Sequence, residues 1–148
     1  MRVIVRAIAS AACNPATWPR VPAPSRLGIV GGGKMAEAMI GGAIEAGIKP
    51  EGIVVSDVVP ARLDHLRKAF GVRTTPENEE AAAHGDLVIL AVKPQLVNEA
   101  LSSIKPALPA SSMLVSIAAG STMDTIVRLA GTHNVVRCMP NTPGVLVL

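Results

Sequence analysis

The chain's clearest chemical content lies in six consecutive residues, Gly31-Gly32-Gly33-Lys34-Met35-Ala36, which follow the apolar run Leu27-Gly28-Ile29-Val30 without a break. Gly31 permits a tight turn out of a strand, Gly33 lets the backbone come close to a pyrophosphate, and the small Ala36 lets a helix pack closely on that strand. A helix opening there directs free backbone amides and the positive end of its dipole at whatever occupies the turn. The pattern is a dinucleotide-binding fingerprint, although three consecutive glycines also suit a plain flexible turn. About twenty residues further on stands Asp57, where an acidic side chain bonds the ribose hydroxyls of NAD and repels the 2′-phosphate of NADP. Ser56 and Arg62 pull the other way, since a hydroxyl and a guanidinium accommodate that phosphate. NAD and NADP both stay open as cofactors.

Other catalytic chemistry has little footing. No Ser-His-Asp candidate stands out and no His/Cys cluster has metal-ligand spacing, so no catalytic residue and no metal site is assigned. His65, His84 and His133 are scattered, and Cys13 and Cys138 form no paired motif, which fits reduced thiols in an intracellular compartment.

The elements that must position the fingerprint follow from periodicity. A helix over 34–46 carries apolar Met35, Met39, Ile40, Ala43 and Ile44 at helical spacing and stops at Gly47. Short apolar runs then alternate with helices: strands over 53–56, 72–74, 87–92, 113–117 and 134–139, and helices over 60–70, 77–83, 95–104 and from a Ser121-Thr122-Met123-Asp124 capping box to 129. Six strands in this alternation predict an α/β fold, a doubly wound parallel sheet of Rossmann type. Ligands of such sheets bind beyond the strand C-termini where the strand order reverses. The loops Lys93-Pro94-Gln95, Ala118-Ala119-Gly120 and Pro140-Asn141-Thr142-Pro143 all emerge at that edge, and each alone also reads as ordinary loop composition.

Taken together, Gly31-Gly32-Gly33-Lys34-Met35-Ala36-Glu37-Ala38, Ala91-Val92-Lys93-Pro94-Gln95, Ser116-Ile117-Ala118-Ala119-Gly120 and Met139-Pro140-Asn141-Thr142-Pro143 resemble pyrroline-5-carboxylate reductase in order and spacing, over residues 26–148. The last segment is the most specific, because many dehydrogenases share the glycine pattern. The resemblance implies an NADPH- or NADH-dependent enzyme that reduces the small molecule 1-pyrroline-5-carboxylate to L-proline. It implies that Gly31, Gly33, Lys34 and Met35 hold the pyrophosphate and that Asn78 lies near the adenosine, where a turn or cap role serves equally. It also implies that Val92, Lys93 and Pro94 flank the cofactor's middle, while Ala118, Ala119, Gly120 and Asn141 approach the nicotinamide. The reductases it resembles continue into a helical dimerisation domain that these 148 residues do not include, so homo-oligomerisation is expected only with that domain. A non-catalytic dinucleotide-binding fragment, or another NAD(P) oxidoreductase such as a 3-hydroxyacid dehydrogenase, is the alternative.

Residues 1–25 differ in composition from the rest: Arg2, Arg6 and Arg20, four prolines and no acid. They read as a disordered leader or an organellar transit peptide, with residues 26–148 as the dinucleotide-binding domain and the location cytoplasmic unless the leader directs import. The net charge of +3 arises in residues 1–26, whose four arginines leave ten basic against eleven acidic residues over 27–148. With Trp18 and Phe70 as the sole aromatics, no nucleic-acid partner is expected, and interruption of the early apolar residues by Arg6 argues against a membrane span.

Overall fold

Alternate residues of each strand face opposite layers, and the apolar runs here have both sets buried, so the sheet must be covered on two sides. The computed structural model describes residues 24–139 and shows this arrangement. Six parallel strands, β1 (Leu27–Val30), β2 (Ile53–Ser56), β3 (Arg73–Thr75), β4 (Leu87–Leu90), β5 (Met113–Ser116) and β6 (Val135–Arg137), lie in the order β3-β2-β1-β4-β5-β6. The helices are α1 (Lys34–Glu45), α2 (Pro60–Phe70), α3 (Asn78–His84), α4 (Val97–Ile104) and α5 (Met123–Ala130). The doubly wound α/β sheet is therefore present, with its order reversing between β1 and β4.

The strand period sorts the core into two layers. Leu27, Ile29, Ile53, Val55, Leu87, Ile89 and Val115 share one cluster with Ala36, Met39, Ile40 and Ala43 of α1 and Leu66 of α2. Val30, Val54, Val88, Leu90 and Leu114 share the other with Ala81 and Ala82 of α3, four residues of α4, and Ile126 and Ala130 of α5. Gly28 belongs by parity to the second layer, where a side chain is impossible: a Cβ there would lie 2.1 Å from the Ala81 carbonyl oxygen. A glycine in a strand interior thus marks the close approach of α3 to β1.

Boundaries move at the sheet's C-terminal edge. Strand β4 ends at Leu90 rather than Val92, although the Ala91 amide still donates to the Val30 carbonyl at 2.8 Å. Pro94–Leu96 form a 3₁₀ turn before α4 starts at Val97. At α5 the cap is Thr122, whose hydroxyl accepts from the Thr125 amide, so Asp124 is a first-turn acid and not the partner in a box opened by Ser121. Among the described residues, no helix is long and apolar enough to cross a membrane.

Candidate dinucleotide site

The site begins where β1 hands over to α1. Gly31 has φ +101°, and a Cβ on it would stand 2.7 Å from the Ala91 carbonyl oxygen, so both backbone conformation and space demand glycine. Its amide donates to the Ser56 carbonyl at 2.9 Å, which ties the turn to the end of β2. Gly33 caps α1 with no side-chain hydrogen bond, and a Cβ there would meet nothing within 4 Å. The first intrahelical bond runs from the Glu37 amide to the Gly33 carbonyl. The amides of Lys34, Met35 and Ala36 therefore precede the ladder, at a helix start whose cap residue has open space beside it, an arrangement suited to an anion.

The end of β2 forms the wall beside this cradle. The Asp57 carboxylate accepts the Gly32 amide at 2.7 Å on Oδ2 and the Val59 amide at 2.8 Å on Oδ1, so it braces the glycine turn and its own loop together. Ser56 departs from its expected role. It is fully buried and donates its hydroxyl to Asn78 Oδ1 at 2.8 Å, because strand parity turns it inward to the layer of α3. It offers no surface hydroxyl to a 2′-phosphate, and instead anchors Asn78 at the first turn of α3.

A charged cluster borders the turn. Arg62 donates from Nε to the Gly32 carbonyl at 2.9 Å and from an Nη to Glu37 Oε2 at 3.1 Å. His65 Nε2 lies 2.9 Å from Glu37 Oε1, and Lys34 Nζ lies 3.4 Å from Oε2. The His65 hydrogen bond, reinforced by Arg62 and Lys34, holds the Glu37 carboxyl down to about 2, so it is ionised throughout the neutral range. Glu37 as the hub of three partners was missed in the sequence. Its i,i+3 spacing to Lys34 is visible there, but the pairing of α1 with α2 is not.

Across the switch point, Val92 Cγ1 would touch a Gly31 Cβ at 3.1 Å, which places the β4 loop against the glycine turn. Lys93 caps the 3₁₀ turn that Pro94 opens. On the next strand the Ile117 amide donates to the Leu90 carbonyl at 3.1 Å, and Ala118 is buried while Ala119 and Gly120 are exposed, Gly120 with φ +81°. Ser116 Oγ is the one fully buried side-chain polar atom lacking a hydrogen-bond partner among the described residues, and it lies at this same edge. The structure thus gathers Gly31, Gly33, Lys34, Met35, Asp57, Asn78, Val92, Lys93, Pro94, Ala118, Ala119 and Gly120 along the C-terminal ends of β1, β2, β4 and β5 or at the starts of the helices that follow β1 and β3. Asn141 lies outside the described residues.

Comparison with known proteins agrees with the fold. Residues 26–120 match the family described as NADP oxidoreductase, coenzyme F420-dependent. A pyrroline-5-carboxylate reductase of Synechocystis is 40% identical over 119 residues, covering 80% of this chain and 44% of the relative. Among solved structures, a pyrroline-5-carboxylate reductase from Coxiella burnetii superposes with a TM-score of 0.76 at 35% identity, over 80% of this chain and 45% of that one. A Plasmodium falciparum pyrroline carboxylate reductase solved with NADP bound gives a TM-score of 0.67 at 33% identity, over 80% and 43%. The chain therefore spans somewhat under half the length of these relatives.

Proposed function

Since the chain belongs to the NADP oxidoreductase, coenzyme F420-dependent, family and matches the N-terminal domain of pyrroline-5-carboxylate reductases, we propose that it is the cofactor-binding part of such a reductase. The proposed reaction is reduction of 1-pyrroline-5-carboxylate to L-proline with NADPH or NADH. The observation that carries this is the open, uncapped N-terminus of α1 behind Gly31, placed where the sheet order reverses.

In this proposal the residues bind, orient and shield. The backbone at Gly31, Gly33, Lys34 and Met35 holds the pyrophosphate; Asp57 stands at the adenosine ribose, with Asn78 behind it. Val92, Lys93 and Pro94 line the middle, and Ala118, Ala119, Gly120 and Asn141 face the nicotinamide. When bound, the cofactor supplies the hydride, leaving the protein to fix its orientation and exclude competing reactions. A protonated cyclic imine accepts a hydride without a protein nucleophile, so no catalytic side chain is assigned.

Residues 26–148 are proposed as the dinucleotide-binding domain, with homo-oligomerisation through a further helical domain. A cytoplasmic location, or an organellar one if residues 1–25 direct import, fits the absence of any paired cysteine motif in the sequence.

The substrate assignment is tested by replacing the matching N-terminal segment of the Synechocystis reductase with residues 26–148 and assaying proline formation from pyrroline-5-carboxylate. Cofactor-dependent proline formation is expected. A folded chimera that binds cofactor yet forms no proline would count against the substrate.

A further inference from the structure

The cluster around Glu37 bears on which dinucleotide the site prefers. Recognition of NADP requires cationic or hydroxyl groups turned towards a 2′-phosphate at the end of β2. Of the two groups the sequence offers there, Ser56 is buried and donates to Asn78. The other, Arg62, is drawn across the glycine turn: one donor is on the Gly32 carbonyl, another on Glu37, and its side chain is only 26% exposed. The remaining position beside the turn is held by the Asp57 carboxylate, fixed by two backbone amides. A dianionic phosphate arriving there meets the charge of Asp57 and an arginine already neutralised by a carboxylate.

Resting on the dinucleotide-site reading above, we infer that Glu37 is a specificity-determining positioning residue, which withholds the Arg62 guanidinium from a 2′-phosphate and makes the site prefer NADH over NADPH. Its amide belongs to the first turn of α1, on the Gly33 carbonyl, and its carboxylate acts on the turn through its partners. Its Oε2 takes Arg62 and Lys34 while Oε1 takes His65, so three basic side chains beside the turn converge on one carboxylate. Releasing Arg62 from Glu37 leaves it in the first turn of α2, with its bond to the Gly32 carbonyl as the tie to the glycine turn. A charge-assisted bond from guanidinium to phosphate is among the stronger single contacts available at a partly exposed site.

The test is calorimetric titration of the purified chain with NADH and with NADPH, for the unaltered protein, Glu37→Gln, Glu37→Ala, Arg62→Ala and the double variant Glu37→Ala/Arg62→Ala. The unaltered chain is expected to bind NADH more tightly. Glu37→Gln should tighten NADPH binding by about tenfold while moving NADH by less than about twofold, and Glu37→Ala, which removes the acceptor as well as the charge, should shift it further. In the Arg62→Ala background the gain should vanish, since it acts through the arginine. An unchanged NADPH-to-NADH ratio in both Glu37 variants would overturn the inference, as would an equal gain without Arg62, which would mean simple removal of a repelling charge. A folded chain binding neither cofactor would overturn the site reading itself, and this inference with it.

Discussion

Glu37 shows how one side chain can serve both stability and site geometry. Its carboxyl is held at about 2 against an ordinary 4.5, first by His65 and then by Arg62 and Lys34. A carboxyl depressed in the folded state favours folding above its unfolded value, and that contribution is lost as pH falls from about 4.5 towards 2. Asp86, lowered by its 2.6 Å pair with Arg26 at the opposite end of the sheet, works in the same direction. Denaturant midpoints are therefore expected to fall as pH is lowered through that window, and to fall less steeply in Glu37→Gln. Equal pH slopes for the two proteins would show that the cluster contributes nothing. At this scale the sequence reveals residues whose role is local: Gly31 turns the chain itself, and Asp57 follows directly on its strand. The burial of Ser56 is not legible in the sequence, because the face on which a strand's last residue lies depends on pairing and parity, and here it turns inward with its hydroxyl on Asn78.

Among elements, short apolar runs and helical periodicity locate five helices and six strands within the described residues, because the central strands bury residues in both layers while each helix buries one apolar face. Their ends are less legible. Strand β4 and the helix after Pro94 meet at the site edge, where the chain leaves the ladder to form a loop and a 3₁₀ turn, which hydropathy does not register. The closeness of α3 to β1 is likewise hidden, since it is written only as a glycine in mid-strand. Gly28→Ala checks it directly. With Cβ 2.1 Å from the Ala81 carbonyl, α3 must withdraw, and a loss of about 3 kcal/mol in chemical denaturation is expected. A change within about 0.5 kcal/mol would show that α3 yields freely.

For the whole molecule, strand order is what turns a glycine pattern into a site. The reversal between β1 and β4 sets the turn at Gly31 beside the loop from Val92, and hydrogen bonding of Ile117 to Leu90 continues the edge to Ala118. A doubly wound order is legible from alternating elements, and the family match over 26–120 agrees with it. The share of each relative that the chain spans, about 45%, means that cofactor binding can be tested on the chain itself while proline formation is tested in a longer protein. The most direct test of the central claim is calorimetric titration of the folded chain with NADH and NADPH, set beside a Gly31→Ala variant that cannot keep the turn at φ +101°. Saturable one-to-one binding of a dinucleotide, lost in the variant, is predicted. A folded chain that takes up neither cofactor, or a variant that binds as well as the unaltered protein, would contradict the account.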